Sequence, residues 1–201
     1  HPNTTIDDMC SSQYQEIGDF TIEEYKYETK KDEGKLKIRM HRNGAIWLSD
    51  DPHKIYVEKE IEIFPNSSEI LISCTIQNRE TAPIDLWFAT EFNYGLLAGD
   101  APDRFYYFDN TEITDPKLAS KGITESVLKM GLKDEWQKIA IQLIYSTPTT
   151  VWRFPIETVS QSEGGLEKVY QNSVVLPNWR FQLPPRGEWK MNINHNIIQI
   201  K

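Results

Sequence analysis

Residues 150–171 read TVWRFPIETVSQSEGGLEKVYQ, and this stretch indicates how the chain folds. Trp152, Phe154 and Ile156 alternate with residues that point the other way, which is the period of two typical of a β-strand. Pro155 cannot donate a hydrogen bond to a β-ladder, so we expect this strand to lie at a sheet edge or to break there. A polar segment with two adjacent glycines follows, and the pattern then resumes. The stretch therefore predicts a strand, a loop and a second strand.

The same stretch brings carboxylates, amides and hydroxyls close to indole rings. Two interpretations are open: the polar groups of an edge strand facing water, or the rim of a sugar-binding site. The candidates from this region for carbohydrate binding or for a domain interface are Arg153, Glu157, Glu163, Tyr170 and Gln171.

Residues 84–94 form the most informative strand upstream of this stretch. Alternation puts Trp87, Glu91 and Asn93 on one face, and we take these three as further candidates of the same kind. An aromatic ring can cover the C–H face of a sugar while polar groups pair with its hydroxyls. The competing interpretation is a solvated sheet face whose tryptophan is covered by a loop. The opposite face is apolar and predicts a core position for Ile84, Leu86, Phe88, Phe92 and Tyr94.

The remaining chain also follows the strand pattern, with short connections that predict antiparallel pairing. Residues 17–27 are expected to contain a first short strand. Asn43-Gly44 is the strongest short hairpin signal, so we expect a turn there and a return strand over residues 45–48. No segment shows a helical stripe over three turns. About a dozen strands predict an all-β fold, namely a large antiparallel β-sandwich of two packed sheets.

Composition excludes some classes of partner. The chain has 201 residues, six tryptophans and a net charge of −8, which argues against nucleic acid as a partner. No apolar run reaches membrane-spanning length, so we expect no membrane partner. The N-terminus lacks the pattern of a signal peptide, and we expect a cytoplasmic location. Cys10 and Cys74 are expected to be reduced, with one disulfide as the alternative, and Cys74 is expected in the core.

Four aspartates in the polar loop over residues 95–116 are candidates for calcium binding through oxygen ligands. They lack the regular spacing of a dedicated calcium loop. We therefore expect no cofactor and no metal ligand, with Ca²⁺ as the alternative. The aspartates are Asp100, Asp103, Asp109 and Asp115.

Two segments resemble one family. Residues 152–171 (WRFPIETVSQSEGGLEKVYQ) and residues 86–107 (LWFATEFNYGLLAGDAPDRFYY) are similar to signatures in the C-terminal domain of glycoside hydrolase family 57 enzymes, which are 4-α-glucanotransferases and α-amylases. The resemblance implies a supersandwich like that of galactose mutarotase. It also implies that residues 1–20 join a preceding (β/α) catalytic barrel and that residues 21–201 form one sandwich domain.

The resemblance implies a retaining enzyme, whose two carboxylates lie roughly 5 Å apart. In this family both carboxylates belong to the barrel, so we expect no catalytic residue in this chain. The expected partners are an α-glucan or malto-oligosaccharide and the catalytic domain of the same polypeptide. Two alternatives are a stand-alone aldose mutarotase, which needs an acid and a base such as His with Glu, and a purely structural cap.

Overall fold

The computed structural model of the protein describes residues 1–48, 51–162 and 165–201. One short helix, α1 (Ile6–Cys10), precedes all strands, and no helix in these ranges is long and apolar enough to cross a membrane. The strands are β1 (Lys26–Asp32), β2 (Lys35–Trp47), β3 (Pro52–Ile63), β4 (Glu69–Asn78), β5 (Ile84–Ala89), β6 (Phe92–Tyr94), β7 (Arg104–Phe108), β8 (Gly122–Asp134), β9 (Ile139–Ser162), β10 (Gly165–Leu183) and β11 (Glu188–Gln199).

All strand pairs in the described ranges are antiparallel, which confirms the predicted all-β class. The strands follow one path, β1-β2-β3-β4-β11-β9-β10-β5. β6 pairs with β10, and β8 pairs with both β7 and β9. The meander from β1 to β4 has the short connections that the sequence indicated.

β9 belongs to two layers. Its residues 139–145 pair with β11, and its residues 150–162 pair with β10. We call β1-β2-β3-β4-β11 and the first part of β9 layer A, and the second part of β9 with β10, β5 and β6 layer B. β8 follows β9 through both layers, and its register shifts near Val127, opposite Thr149. The change of partner therefore occurs where β8 is irregular.

The core lies between the two layers. β10 and β11 are joined by a short turn, and Phe181 of β10 stacks on Trp189 of β11 with ring centroids 4.2 Å apart. The ring of Phe88 on β5 also contacts Trp189, with ring centroids 5.9 Å apart. Cys74 of β4 is buried in the same core as predicted, and burial raises its pKa to about 11. Cys10 is exposed, and both cysteines are free thiols.

The prediction of a hairpin turn at Asn43-Gly44 is wrong. β2 runs through both residues, with Gly44 paired to Ile55 of β3. A side chain at Gly44 would meet the Phe20 ring at 2.8 Å. The glycine thus makes room for the close approach of a preceding segment, a use of glycine that a local turn rule does not distinguish.

The prediction of a strand over residues 17–27 is also wrong. β1 begins at Lys26, and the preceding segment contributes only an isolated bridge between Gly18 and Ile46. Phe20 packs on the core cluster around Ile46, so its apolar side chain reflects docking on β2. Apolar residues in a docked loop give the same local signal as a short strand.

A buried ion pair fixes the end of the β7–β8 ladder. Arg104 Nε donates to Asp134 Oδ2 at 3.1 Å, and Nη1 donates to Asp103 Oδ1 at 3.0 Å. Asp134 is completely buried and also accepts a hydrogen bond from the Gln137 backbone N–H at 2.8 Å. A buried carboxylate is tolerated because these donors replace its lost hydration.

Replacing Arg104 with leucine should therefore destabilise the protein by about 3–5 kcal/mol, because it leaves the Asp134 carboxylate buried without its cation. Equilibrium unfolding in urea measures this loss. Arg39→Leu is the matched control, since the Arg39–Glu58 pair lies at the surface, and its effect should be much smaller. Equal losses in both variants would contradict the assignment of a buried, structurally required ion pair.

Candidate functional site

The outer face of layer B carries an apolar patch that the N-terminal residues cover. The patch consists of Trp152 and Phe154 from β9 and Val174 and Leu176 from β10. Its outward orientation confirms the alternation predicted for this part of β9. Residues 1–15, which we call the strap, cross this patch, with Ile6 and Met9 in contact with it.

Local hydrogen bonds shape the strap. Thr5 caps α1: its backbone N–H donates to Asp8 Oδ2 at 2.8 Å, and the Asp8 N–H donates to Thr5 Oγ1 at 3.2 Å. The Arg180 side chain donates to the Pro2 carbonyl at 3.2 Å, and Asp7 forms an ion pair with Lys121. This helix was not predicted from the sequence, although the Thr5-x-x-Asp8 spacing is a helix start signal that could have indicated it.

The first candidate site is a cleft of about 660 Å³ on this face, which we call the Trp87 cleft. The indole of Trp87 contacts Trp152 edge-on at a centroid distance of 5.4 Å and donates from Nε1 to Asn178 Oδ1 at 2.9 Å. The Arg180 guanidinium lies over the Trp87 ring at 4.0 Å. One aromatic face is thus occupied by a cation, while polar groups of Glu125, Thr150, Asn178 and Arg180 line the same cleft.

A second cleft of about 660 Å³, the Glu91 cleft, lies beside the strap and contains Glu91 and Glu157. The Asn93 amide donates to Glu91 Oε1 at 2.8 Å, and Lys168 lies 3.2 Å from Glu157 Oε2. Cys10 of the strap lines the same cleft, and partial burial raises the pKa of its thiol. Three predicted residues, Trp87, Glu91 and Glu157, therefore line two clefts of one face, and Asn93 is bonded to one of them. One further predicted residue is an exception, because the fold turns it inward.

That exception is Arg153, which is 5% exposed and does not reach either cleft. Its guanidinium donates to Ser120 Oγ at 3.2 Å and lies over the Tyr106 ring at 5.4 Å. Burial lowers its pKa. A Cβ at Gly122 would meet the guanidinium carbon at 2.7 Å, so glycine at this position makes room for the buried side chain. The prediction that Arg153 joins Trp87 in a surface site is therefore wrong, because the arginine packs inside the protein against Ser120 and Tyr106.

The remaining candidates lie on the hairpin of β9 and β10. Tyr170 is half-buried, and its hydroxyl is 2.7 Å from Ser173 Oγ, so it packs towards the interior. Gln171 lies at a register shift in β10 and donates to Thr158 Oγ1 at 3.0 Å. Glu163 lies outside the described residues. β8 starts at Gly122, opposite Arg153, so Pro155 lies beyond its end. The β8–β9 ladder therefore loses no hydrogen bond through the missing N–H of Pro155.

The acidic loop does not gather its carboxylates. Asp100 pairs with Lys117, Asp103 with Arg104 and Asp109 with Lys129, while Asp115 Oδ1 accepts a hydrogen bond from the Lys117 backbone N–H. Across residues 1–48, 51–162 and 165–201, no group of three or more side chains is arranged to hold a metal ion.

Neither His195 nor His41 lines the Trp87 cleft or the Glu91 cleft. His195 is buried with its ring 6.2 Å from Phe92 and 5.9 Å from Tyr94, and its Nδ1 has no hydrogen-bond partner. Burial lowers its pKa. His41 lies opposite Glu58 on layer A, but that carboxylate already accepts from Arg39 and from the Tyr56 hydroxyl.

The pKa of His195 predicts an acid sensitivity of folding. Because the folded protein binds this proton less readily than the unfolded chain, the free energy of unfolding should fall as the pH drops through the ordinary histidine pKa of about 6.5. Replacing His195 with phenylalanine should flatten this dependence between about pH 7.5 and pH 5.5. Urea unfolding at a series of pH values measures it. An unchanged slope in the variant would exclude His195 as the source.

Comparison with known proteins shows the family of this chain. The family described as "Alpha-amylase/4-alpha-glucanotransferase, C-terminal" matches residues 1–193. The chain belongs to this family. Alpha-amylase 1 of Dictyoglomus thermophilum is 31% identical over 175 residues, covering 87% of this chain and 24% of that protein. The chain thus spans about a quarter of the length of such relatives.

Solved structures agree with this fold. The 4-alpha-glucanotransferase of Thermococcus litoralis matches with a TM-score of 0.71 at 19% identity, covering 97% of this chain and 26% of that one. A galactose mutarotase-like protein of Clostridium acetobutylicum matches with a TM-score of 0.60 at 11% identity, covering 91% of this chain and 69% of that one. The predicted likeness to the mutarotase sandwich is thereby confirmed at the level of fold.

Proposed function

We propose that this chain is a non-catalytic C-terminal β-sandwich of an α-glucan-processing enzyme, which packs on the catalytic part of the same polypeptide and contacts the glucan. The observation that carries the proposal is the match to the C-terminal family over residues 1–193, combined with the quarter-length coverage of its relatives. Those relatives are called alpha-amylase and 4-alpha-glucanotransferase, and their remaining length leaves room for separate catalytic machinery.

The outer face of layer B is the side that we assign to the catalytic part. Beyond the end of β8, the hairpin of β9 and β10 exposes Val159 by 63%, Leu166 by 79% and Val169 by 41%. Exposed apolar groups clustered on one projecting ribbon favour a protein contact. Val159 also lines the Glu91 cleft beside the strap, so the ribbon and the strap form one continuous surface.

The Trp87 cleft is the part of this surface that we assign to the glucan. Trp87, Asn178 and Arg180 are held by contacts with one another, so the cleft is organised before a ligand arrives. An indole edge with an amide and a guanidinium nearby suits the mixed apolar and hydroxylated surface of a sugar. The structural cap is the second candidate, and it would use the same face without any sugar contact.

The roles that we assign to the carboxylates are structural or ligand-binding. Glu157 is held by Lys168 and Glu91 by Asn93, and the two lie in an open cleft rather than in a deep pocket. The mutarotase alternative rests on likeness of fold alone, because the matching structure is 11% identical and fold does not determine activity.

The purified 201-residue chain should show no transfer or hydrolysis of malto-oligosaccharides at enzyme-like rates, because the proposal places the catalytic carboxylates elsewhere in the polypeptide. Chromatography of the reaction products measures this. Glu157→Gln is the control if turnover appears. Turnover at enzyme-like rates would contradict the proposal, and its loss in Glu157→Gln would make the Glu91 cleft the active site.

Malto-oligosaccharide should bind the Trp87 cleft weakly, with a dissociation constant of about millimolar. Trp87→Ala should weaken the fluorescence response to titrated maltoheptaose several-fold, because it removes the indole that a sugar would contact. Trp47→Ala is the matched control, since Trp47 is half-exposed and lies on β2. A response that is identical in parent and Trp87→Ala would favour the structural cap over glucan contact at this cleft.

A further inference from the structure

Trp136 is an indole presented to solvent in the turn between β8 and β9. It is 70% exposed, whereas Trp152 and Trp179 are 7% and 6% exposed. It lies outside the residues of the Trp87 cleft and the Glu91 cleft. An exposed indole offers a large, flat apolar face on which a ligand can stack.

The exposed indole has a rigid support. The Arg104 guanidinium carbon is 5.4 Å from the centroid of the Trp136 ring, so a cation covers one face. Arg104 is held by Asp134 and Asp103, and the Glu135 backbone N–H donates to the Asp103 carbonyl at 2.9 Å. The turn that carries Trp136 is therefore tied to the neighbouring loop. A ring fixed in this way loses little conformational entropy when a ligand stacks on it.

The groups around Trp136 are charged. Asp103 and Glu135 have side chains that are 37% and 49% exposed, and Lys133 Nζ lies 2.9 Å from Glu135 Oε1. A protein-docking surface would present a contiguous apolar patch, whereas Trp136 is a single ring among carboxylates and an ammonium group. This combination suits a ligand with an apolar face and a hydroxylated rim.

We propose that Trp136 forms a second carbohydrate-binding site, in which a pyranose ring of an α-1,4-glucan stacks on the free face of the indole. Asp103, Glu135 and Lys133 are the groups within this neighbourhood that pair with its hydroxyls. The choice of an α-glucan as the ligand rests on the proposed function; the position of the site rests on the exposure and support of Trp136. Such a site would hold a long chain at a distance from the Trp87 cleft.

The test uses the indole N–H signals of the ¹⁵N-labelled 201-residue chain, which has six tryptophans. Maltoheptaose is titrated, and substitution of each indole assigns its signal. We expect the Trp136 signal to move in the parent and in Trp87→Ala. In Trp136→Ala, the backbone signal of Glu135 should respond at least about fivefold more weakly, as expected for loss of one aromatic contact. Trp47→Ala is the control and should leave the response unchanged.

The outcomes separate the two sites. Movement of the Trp136 signal without movement of Trp87 supports this inference and contradicts glucan contact at the Trp87 cleft. Movement of Trp87 alone, or of neither indole, overturns the inference. An equal response to cellohexaose overturns the assignment to α-glucans. Trp136→Phe keeps an aromatic ring, so this variant should retain part of the binding. It also replaces Trp136→Ala if the alanine variant unfolds. Full loss of binding in a folded Trp136→Phe protein overturns stacking on this ring.

Discussion

The structure depends on one strand taking part in both layers of a continuous sheet. β9 pairs with β11 at its beginning and with β10 at its end, and β8 follows it across the change of partner. Because the two layers share these strands, their apolar faces must meet, and Phe181, Phe88 and Trp189 close the space between them. A register shift near Val127 lets β8 adapt to both layers without losing its pairing with β9.

This shared strand also determines where polar groups end up. Alternation along β9 sends Trp152 outward and Arg153 inward, and the fold then surrounds each side chain differently. The outward face gathers the Trp87 cleft, the Glu91 cleft and the strap on layer B. The end of the β7–β8 ladder holds Arg104 and Asp134, and Trp136 lies outside this pair, in the turn between β8 and β9. The positions of both clefts and of Trp136 therefore follow from the way in which the core strands pair.

Sequence patterns succeeded where a local rule and the tertiary environment agree. The period of two in residues 84–94 holds because one face lies in the core and the other bears Trp87. The predicted single strand is nevertheless divided into β5 and β6, which pair with different parts of β10. Sequence patterns failed where contacts between residues distant in sequence decide the local structure. Asn43-Gly44 has the composition of a hairpin turn, yet Phe20 packs against Gly44 and the strand continues. Arg153 was predicted at the surface, yet inside the protein its guanidinium donates to Ser120 and lies over the Tyr106 ring.

The sequence by itself determined the all-β class, the alternation of the strands and the family, because these depend on periodicity and on long matching segments. Only the tertiary structure decided that the predicted site divides into two clefts, that Arg153 is buried and that the first 15 residues lie across layer B. The physical reason is that burial and contact depend on which strands meet. Trp87 and Trp152, for example, are distant in sequence and come into contact only because β5 and β9 both pair with β10 in layer B.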